Sequence, residues 1–167
     1  MIVYHTQEHR SKELSAPVRC CDKEAWLGYG YYFWQDEEFA HYWGKDMKVG
    51  RNRNGLYDIY TAEIDLGTCL DTVYNEEHYL LFCRLIEYTI NHFKKLGKEP
   101  ELWQIYKKLH DDEYFIKAGI RGIRYCDTPI GYRYNIIHPL YYKKRIQIVL
   151  FKATDCLGFK IYKSKLS

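Results

Sequence analysis

The sequence predicts an α+β fold, and three observations predict it. Residues 75–96 set Tyr79, Phe82, Leu85, Ile86, Ile90 and Phe93 at three- and four-residue spacing, the period of an amphipathic helix. Residues 56–66 alternate instead. Tyr57 and Ile59 alternate with Asp58 and Tyr60, then Ala62, Ile64 and Leu66 with Glu63 and Asp65, the period of a half-buried strand. Short β-branched or aromatic segments recur near both ends of the chain, with no internal repeat, linker or low-complexity tract between them. At 167 residues the chain is expected to form one domain, residues 1–167, with helices flanking a central mixed or antiparallel arrangement of sheets.

Taken in order, Ile2 to His5 forms a first strand with His5 at its end, and the mostly polar run 6–15 leaves it before Pro17. After the aromatic run 31–34, Asp36, Glu37 and Glu38 suit the first turn of a short helix carrying Phe39, Ala40, Tyr42 and Trp43, with Gly44 as its stop. Residues 51–55 read as a turn, and the strand at 56–66 slips phase near Thr61, where a bulge is expected. The helix at 75–96 ends before Gly97, and a second runs over 101–110 between Pro100 and Asp111-Asp112. Strands follow near 122–125, 146–151 and 159–162.

Composition narrows the classes. With 25 basic against 22 acidic residues the net charge is +3, too balanced for a polycation that grips nucleic acid by charge alone. The densest basic run is Lys143-Lys144-Arg145, either a phosphate-attracting patch or a solvated strand edge. None of the 6 cysteines has C-x-x-C spacing, so no metal is expected and the thiols read as free and mostly buried. No apolar run is long enough to span a bilayer, and Met1 to His5 lacks the features of a signal peptide, which together predict a cytoplasmic protein with no membrane partner.

Aromatic residues make up 17% of the chain, 18 of them tyrosine, and they concentrate in Gly28-Tyr29-Gly30-Tyr31-Tyr32-Phe33-Trp34, followed by Ala40-His41-Tyr42-Trp43. Two glycines leading into consecutive aromatics make a slot for a flat cationic ring such as nicotinamide, or else an aromatic core strand in which Phe33 is core. Tyr4-His5-Thr6, the Gly-x-Gly-x-Tyr-Phe segment 28–33 and Gln147 on a late apolar strand together resemble the three-part signature of the ADP-ribosyltransferase superfamily. The resemblance is to its His-Tyr-Glu branch, with glutamine in the third position, and to small bacterial toxin and phage-defence members of it.

That resemblance implies a single ADP-ribosyltransferase-like domain that takes NAD+ as substrate, cleaves its nicotinamide glycosidic bond and passes ADP-ribose to RNA or protein. It implies catalytic roles for His5, Tyr32 and Gln147, and NAD+ contacts from His5, Thr6, Gly28, Gly30, Tyr31 and Tyr32. His5 would bond the adenosine-side ribose, one of Tyr29, Tyr31 and Tyr32 would stack on nicotinamide, and Gln147 would hold the nicotinamide-side ribose. An antitoxin or other inhibitory partner would restrain such an effector. Two positions depart from the family pattern. Glutamine carries no charge, so elongation into a polymer is not expected, and Thr6 stands where glycine commonly follows the histidine. The alternatives are an NAD+ glycohydrolase and a catalytically inactive nucleotide- or ADP-ribose-binding module. Read alone, His5 is a strand-end structural histidine and Gln147 a polar residue on an alternating strand.

Overall fold

Helix and strand share the computed structural model about equally, and it describes residues 1–23, 25–50, 55–127, 135–137, 140–141 and 144–167. Among the described residues the strands are β1 (Ile2–Glu8), β2 (Tyr31–Trp34), β3 (Tyr57–Ile64), β4 (Cys69–Asp71), β5 (Gly122–Asp127), β6 (Asn135–Ile137), β7 (Leu140–Tyr141), β8 (Arg145–Leu150) and β9 (Cys156–Leu166). The α-helices among them are α1 (Glu37–Gly50), α2 (Glu76–Lys95), α3 (Leu102–Asp111) and α4 (Tyr114–Lys117). Seven strands form one mixed sheet in the order β4-β5-β8-β2-β1-β3-β9, in which only the β4–β5 pair is parallel, and β6 pairs with β7 separately. The chain is an α+β protein, as the three sequence observations predict.

The helices lie on one face of the sheet. Phe82 and Leu85 of α2 and Ile105, Tyr106 and Leu109 of α3 bury Leu70, Ile123 and Val149, while Phe39 and Ala40 of α1 bury Trp34, Tyr57 and Ile59. The Thr6 hydroxyl donates to the Ala40 carbonyl at 2.8 Å and ties α1 to β1. On the other face Val3, Phe33, Ala62, Ile64, Ile148 and Leu150 form a third cluster. Near its β3–β9 end the preceding loop closes over it, where the Leu14 N–H donates to the Tyr60 hydroxyl at 3.2 Å.

Capping explains the ends of α2 and α3. The Asn75 side chain accepts from the His78 N–H at the start of α2, and Glu101 with Gln104 forms a reciprocal capping box on α3. Several expected boundaries move. β1 runs three residues past His5, because Thr6, Gln7 and Glu8 keep pairing with Ile59, Asp58 and Tyr57. Gly44 does not stop α1; it lies inside the helix, where a Cβ would meet the Tyr57 ring at 2.4 Å, so glycine is there to let helix and strand approach.

β3 is not half-buried. Asp58, Tyr60 and Ala62 are as enclosed as Tyr57 and Ile59, because helix covers one face and Phe159 stacks on Tyr60 at 4.9 Å on the other. The expected bulge is present as register shifts against β9, one of them between Thr61 and Glu63. β4 and α4 were not expected from the sequence. The expected turn at 51–55 lies outside the described residues except for Gly55, which has φ +65°. All six cysteines are free, yet only Cys69 is buried, four are half-buried and Cys21 is exposed.

Gly30 sits where β2 approaches β8. A Cβ there would lie 2.4 Å from Val149 Cγ2 and 2.7 Å from the Leu150 carbonyl oxygen. Gly30→Ala is therefore expected to destabilise the fold by roughly 1–3 kcal/mol, the usual cost of overpacking. A urea melt with an unshifted midpoint would refute that.

Candidate functional site

Strand alternation decides where the signature residues point. Tyr32 and Val149 face the α2–α3 cluster, whereas Phe33 and Ile148 face the opposite side, and Tyr31 packs with them. By the same alternation Gln147 and Thr6 lie on the helical face and His5 on the other, where its ring meets Phe33 and Phe159 at 5.5 and 5.9 Å. The three strands are neighbours. His5 on β1, Tyr32 on β2 and Gln147 on β8, so distant in sequence, occupy adjacent central strands, and Tyr4, Trp34 and Gln147 share one rung.

His5 is 4% exposed. Its Nδ1–H donates to the Tyr32 carbonyl at 2.8 Å and its Nε2 accepts from the Val18 N–H at 3.4 Å, so both ring nitrogens are engaged by backbone. Burial outweighs the carbonyl bond and pulls its pKa down to about 4, which keeps the ring neutral at physiological pH. β1 and β2 pair only at Tyr4 and Trp34. Beyond that rung the ladder stops, and the His5 ring spans the split between Thr6 and Tyr32 in its place.

Tyr32 is equally occupied. Its hydroxyl donates to the Gly28 carbonyl at 2.7 Å and accepts from the Leu27 N–H at 3.1 Å, and burial pushes its pKa upward. Gly28 has φ +78°, and a Cβ on it would meet Tyr106 Cβ at 2.7 Å. In this structure the Gly-x-Gly segment fits β2 against α3 and β8, and both glycines face protein atoms.

Gln147 stands differently. Its Oε1 accepts from the Trp26 indole N–H at 2.7 Å, which fixes the amide orientation, and its N–H group has no acceptor among the described residues. In the ladder it lies between Trp34 on β2 and Tyr125 on β5. Trp34 belongs to the α1 cluster, while Trp26 and Tyr125 pack edge to face at 5.2 Å against the α2–α3 cluster. Gln147 therefore occupies the seam between the two helical layers.

Arg145 extends this polar strip. Two residues from Gln147 on the same face, its guanidinium lies over Trp34 at 5.2 Å and pairs with Asp127 at 2.8 Å. Burial pushes the Asp127 carboxyl above its ordinary range, with Arg145 opposing. The strip Asp127–Arg145–Gln147 between Trp34 and Trp26 is a row of hydrogen-bonding groups largely closed to solvent, Arg145 and Gln147 being 8% and 7% exposed. Among the described residues no three His, Cys, Asp or Glu side chains gather as metal ligands.

Arg145 appeared in the sequence only as part of a basic run. Instead it turns into the seam; Lys143 lies outside the described residues. The alternation of Arg145 with Gln147 was a usable signal for their shared face. Trp26 had none, since its partner is 121 residues away.

The fold and strip define an α+β protein with a polar seam in its central sheet, and among the described residues no helix is long and apolar enough to cross a membrane. Comparison of the chain with models of known families, with curated proteins and with solved structures finds no match.

Proposed function

We propose that the protein is an NAD+-dependent mono-ADP-ribosyltransferase whose reacting end lies at Gln147. One observation carries this reading: the three signature elements, at residues 4–6, 28–33 and 147, lie on or lead into the adjacent strands β1, β2 and β8 in the middle of the sheet.

On this reading the free N–H of Gln147 donates to a hydroxyl of the nicotinamide-side ribose, with the amide held by Trp26. The bond from C1′ to the nicotinamide nitrogen breaks and its electron pair goes to nicotinamide, leaving an oxocarbenium-like centre at C1′. A nucleophile of the acceptor attacks C1′ and releases its proton to solvent. The strengthening grip on the ribose as charge develops supplies part of the rate. His5 and Tyr32 are positioning residues here: one spans the β1–β2 split and the other closes the Gly28 turn. Thr6, at that split, offers backbone groups to the nicotinamide amide.

The internal engagement of His5 and Tyr32 favours a second reading, a nucleotide- or ADP-ribose-binding module without turnover. Nicotinamide release from NAD+ by the purified protein, alone and with total RNA or cell lysate, separates them. Release that depends on added RNA or protein is the expected result. Release in buffer alone would replace the transferase by a glycohydrolase, and saturable NAD+ binding without release would replace it by the binding module.

A further inference from the structure

A second place gathers chemistry outside the seam. Arg124, 8% exposed, is fixed on β5 by Asp71, 2.9 Å from its Nη1, and by Gln35, whose Oε1 accepts from its Nε at 3.1 Å. This immobilised guanidinium lies 4.5 Å from the centroid of the Tyr74 ring. Tyr74 is nevertheless 61% exposed. A ring held in one orientation by a buried cation while open to solvent loses little entropy when something stacks on it.

Lys144 completes the arrangement. Its ammonium stands 5.5 Å from the same ring, and no carboxylate among the described residues pairs with it. Tyr74 also borders a groove of about 430 Å³ that reaches a second exposed ring, Tyr79. Glu76 lines that groove too and disfavours phosphate there, so a phosphate belongs on the Lys144 side and flat apolar rings on the tyrosines. Two exposed rings in one groove with an unpaired cation at the edge are what a single strand of nucleic acid uses, since every base has a face to stack and every linkage a negative charge.

We infer that Tyr74, Tyr79 and Lys144 form a docking surface for single-stranded nucleic acid, which, resting on the transferase reading, presents the acceptor to the enzyme. Lys144 directly precedes β8, and by strand alternation it and Arg124, which pairs with Ile148, lie on the face opposite Gln147, so a bound strand has to round the end of β8 to reach the proposed reacting group.

The test needs no NAD+. Fluorescence anisotropy would follow a labelled twelve-nucleotide oligouridylate, and separately an oligothymidylate, titrated with the full chain at low and moderate salt. Saturable binding that weakens with salt is expected, with Tyr74→Ala losing roughly tenfold in affinity and Tyr74→Phe retaining it. Lys144→Gln is expected to flatten the salt dependence by about one phosphate contact. Preference for the ribose or the deoxyribose strand identifies the source. Absence of binding by wild type at low salt overturns the inference, as does unchanged affinity in a folded Tyr74→Ala chain. Because binding is read without turnover, failure of the transferase reading leaves this result standing, and failure here leaves nicotinamide release untouched.

Discussion

Replacing Gln147 by alanine is expected to lower nicotinamide release from NAD+ by roughly a hundredfold or more, the usual loss when an oriented hydrogen-bond donor is removed from a reacting centre. The same change orphans the Trp26 indole N–H, so some stability is lost with it. Two further variants keep these effects apart. Gln147→Glu preserves an acceptor for Trp26 and should fold as wild type, while substituting an anion for the amide at the ribose. Trp26→Phe keeps Gln147 and removes only its anchor, so it should raise KM and lower kcat moderately. Undiminished release by a folded Gln147→Ala chain would remove Gln147 from the reaction and with it the proposed mechanism.

The second large effect is on stability against acid. His5 is buried and neutral with a pKa of about 4, against an ordinary value of 6.5 in the unfolded chain. Between these values the unfolded chain binds a proton that the folded one refuses. The stability is therefore fully present above pH 6.5 and is lost as pH falls towards 4, by about 3 kcal/mol over the window. His110, also held down by burial, between Phe115 and Phe151, acts with the same sign. Urea unfolding at a series of pH values, for wild type and His5→Gln, isolates the histidine by difference. The variant is less stable at neutral pH because the ring bond to Tyr32 and the partner of Val18 N–H are lost, but its decline below pH 6.5 should be shallower. Parallel declines would show that His5 titrates as it does unfolded.

Much of the fold was legible because local periodicity and packing agree. The i, i+3, i+4 apolar spacing from Tyr79 to Phe93 became α2 with the cap that Asn75 offers. The parts that were not legible depend on partners remote in sequence. β4 is three residues long and exists because Cys69, Leu70 and Asp71 pair with Gly122, Ile123 and Arg124. Gly44 carries the local signature of a stop, yet the demand that α1 lie against Tyr57 overrides it.

The candidate site divides the same way. The sequence indicated which strands carry the signature residues, and the structure makes those strands neighbours. It did not indicate faces across strands, so it set His5 beside Tyr32 and Gln147 when the sheet lies between them. Nor could it show that the Tyr32 hydroxyl and both glycines are absorbed by packing. The groups lining the seam, Trp26, Asp127 and Arg145, come together only when β5, β8 and the segment before β2 do.

The single rung between β1 and β2 has a consequence for cooperativity. It divides the sheet into β4-β5-β8-β2 with α2 and α3, and β1-β3-β9 with α1, joined by Tyr4–Trp34, the His5 ring, the apolar cluster behind them and the packing of α1 on Trp34. A ladder with one rung at its centre has a plane of weakness there, and subglobal opening follows such planes. Amide hydrogen exchange should thus report two blocks with separate opening free energies, with the Val18 amide, held only by the His5 ring, among the first to exchange.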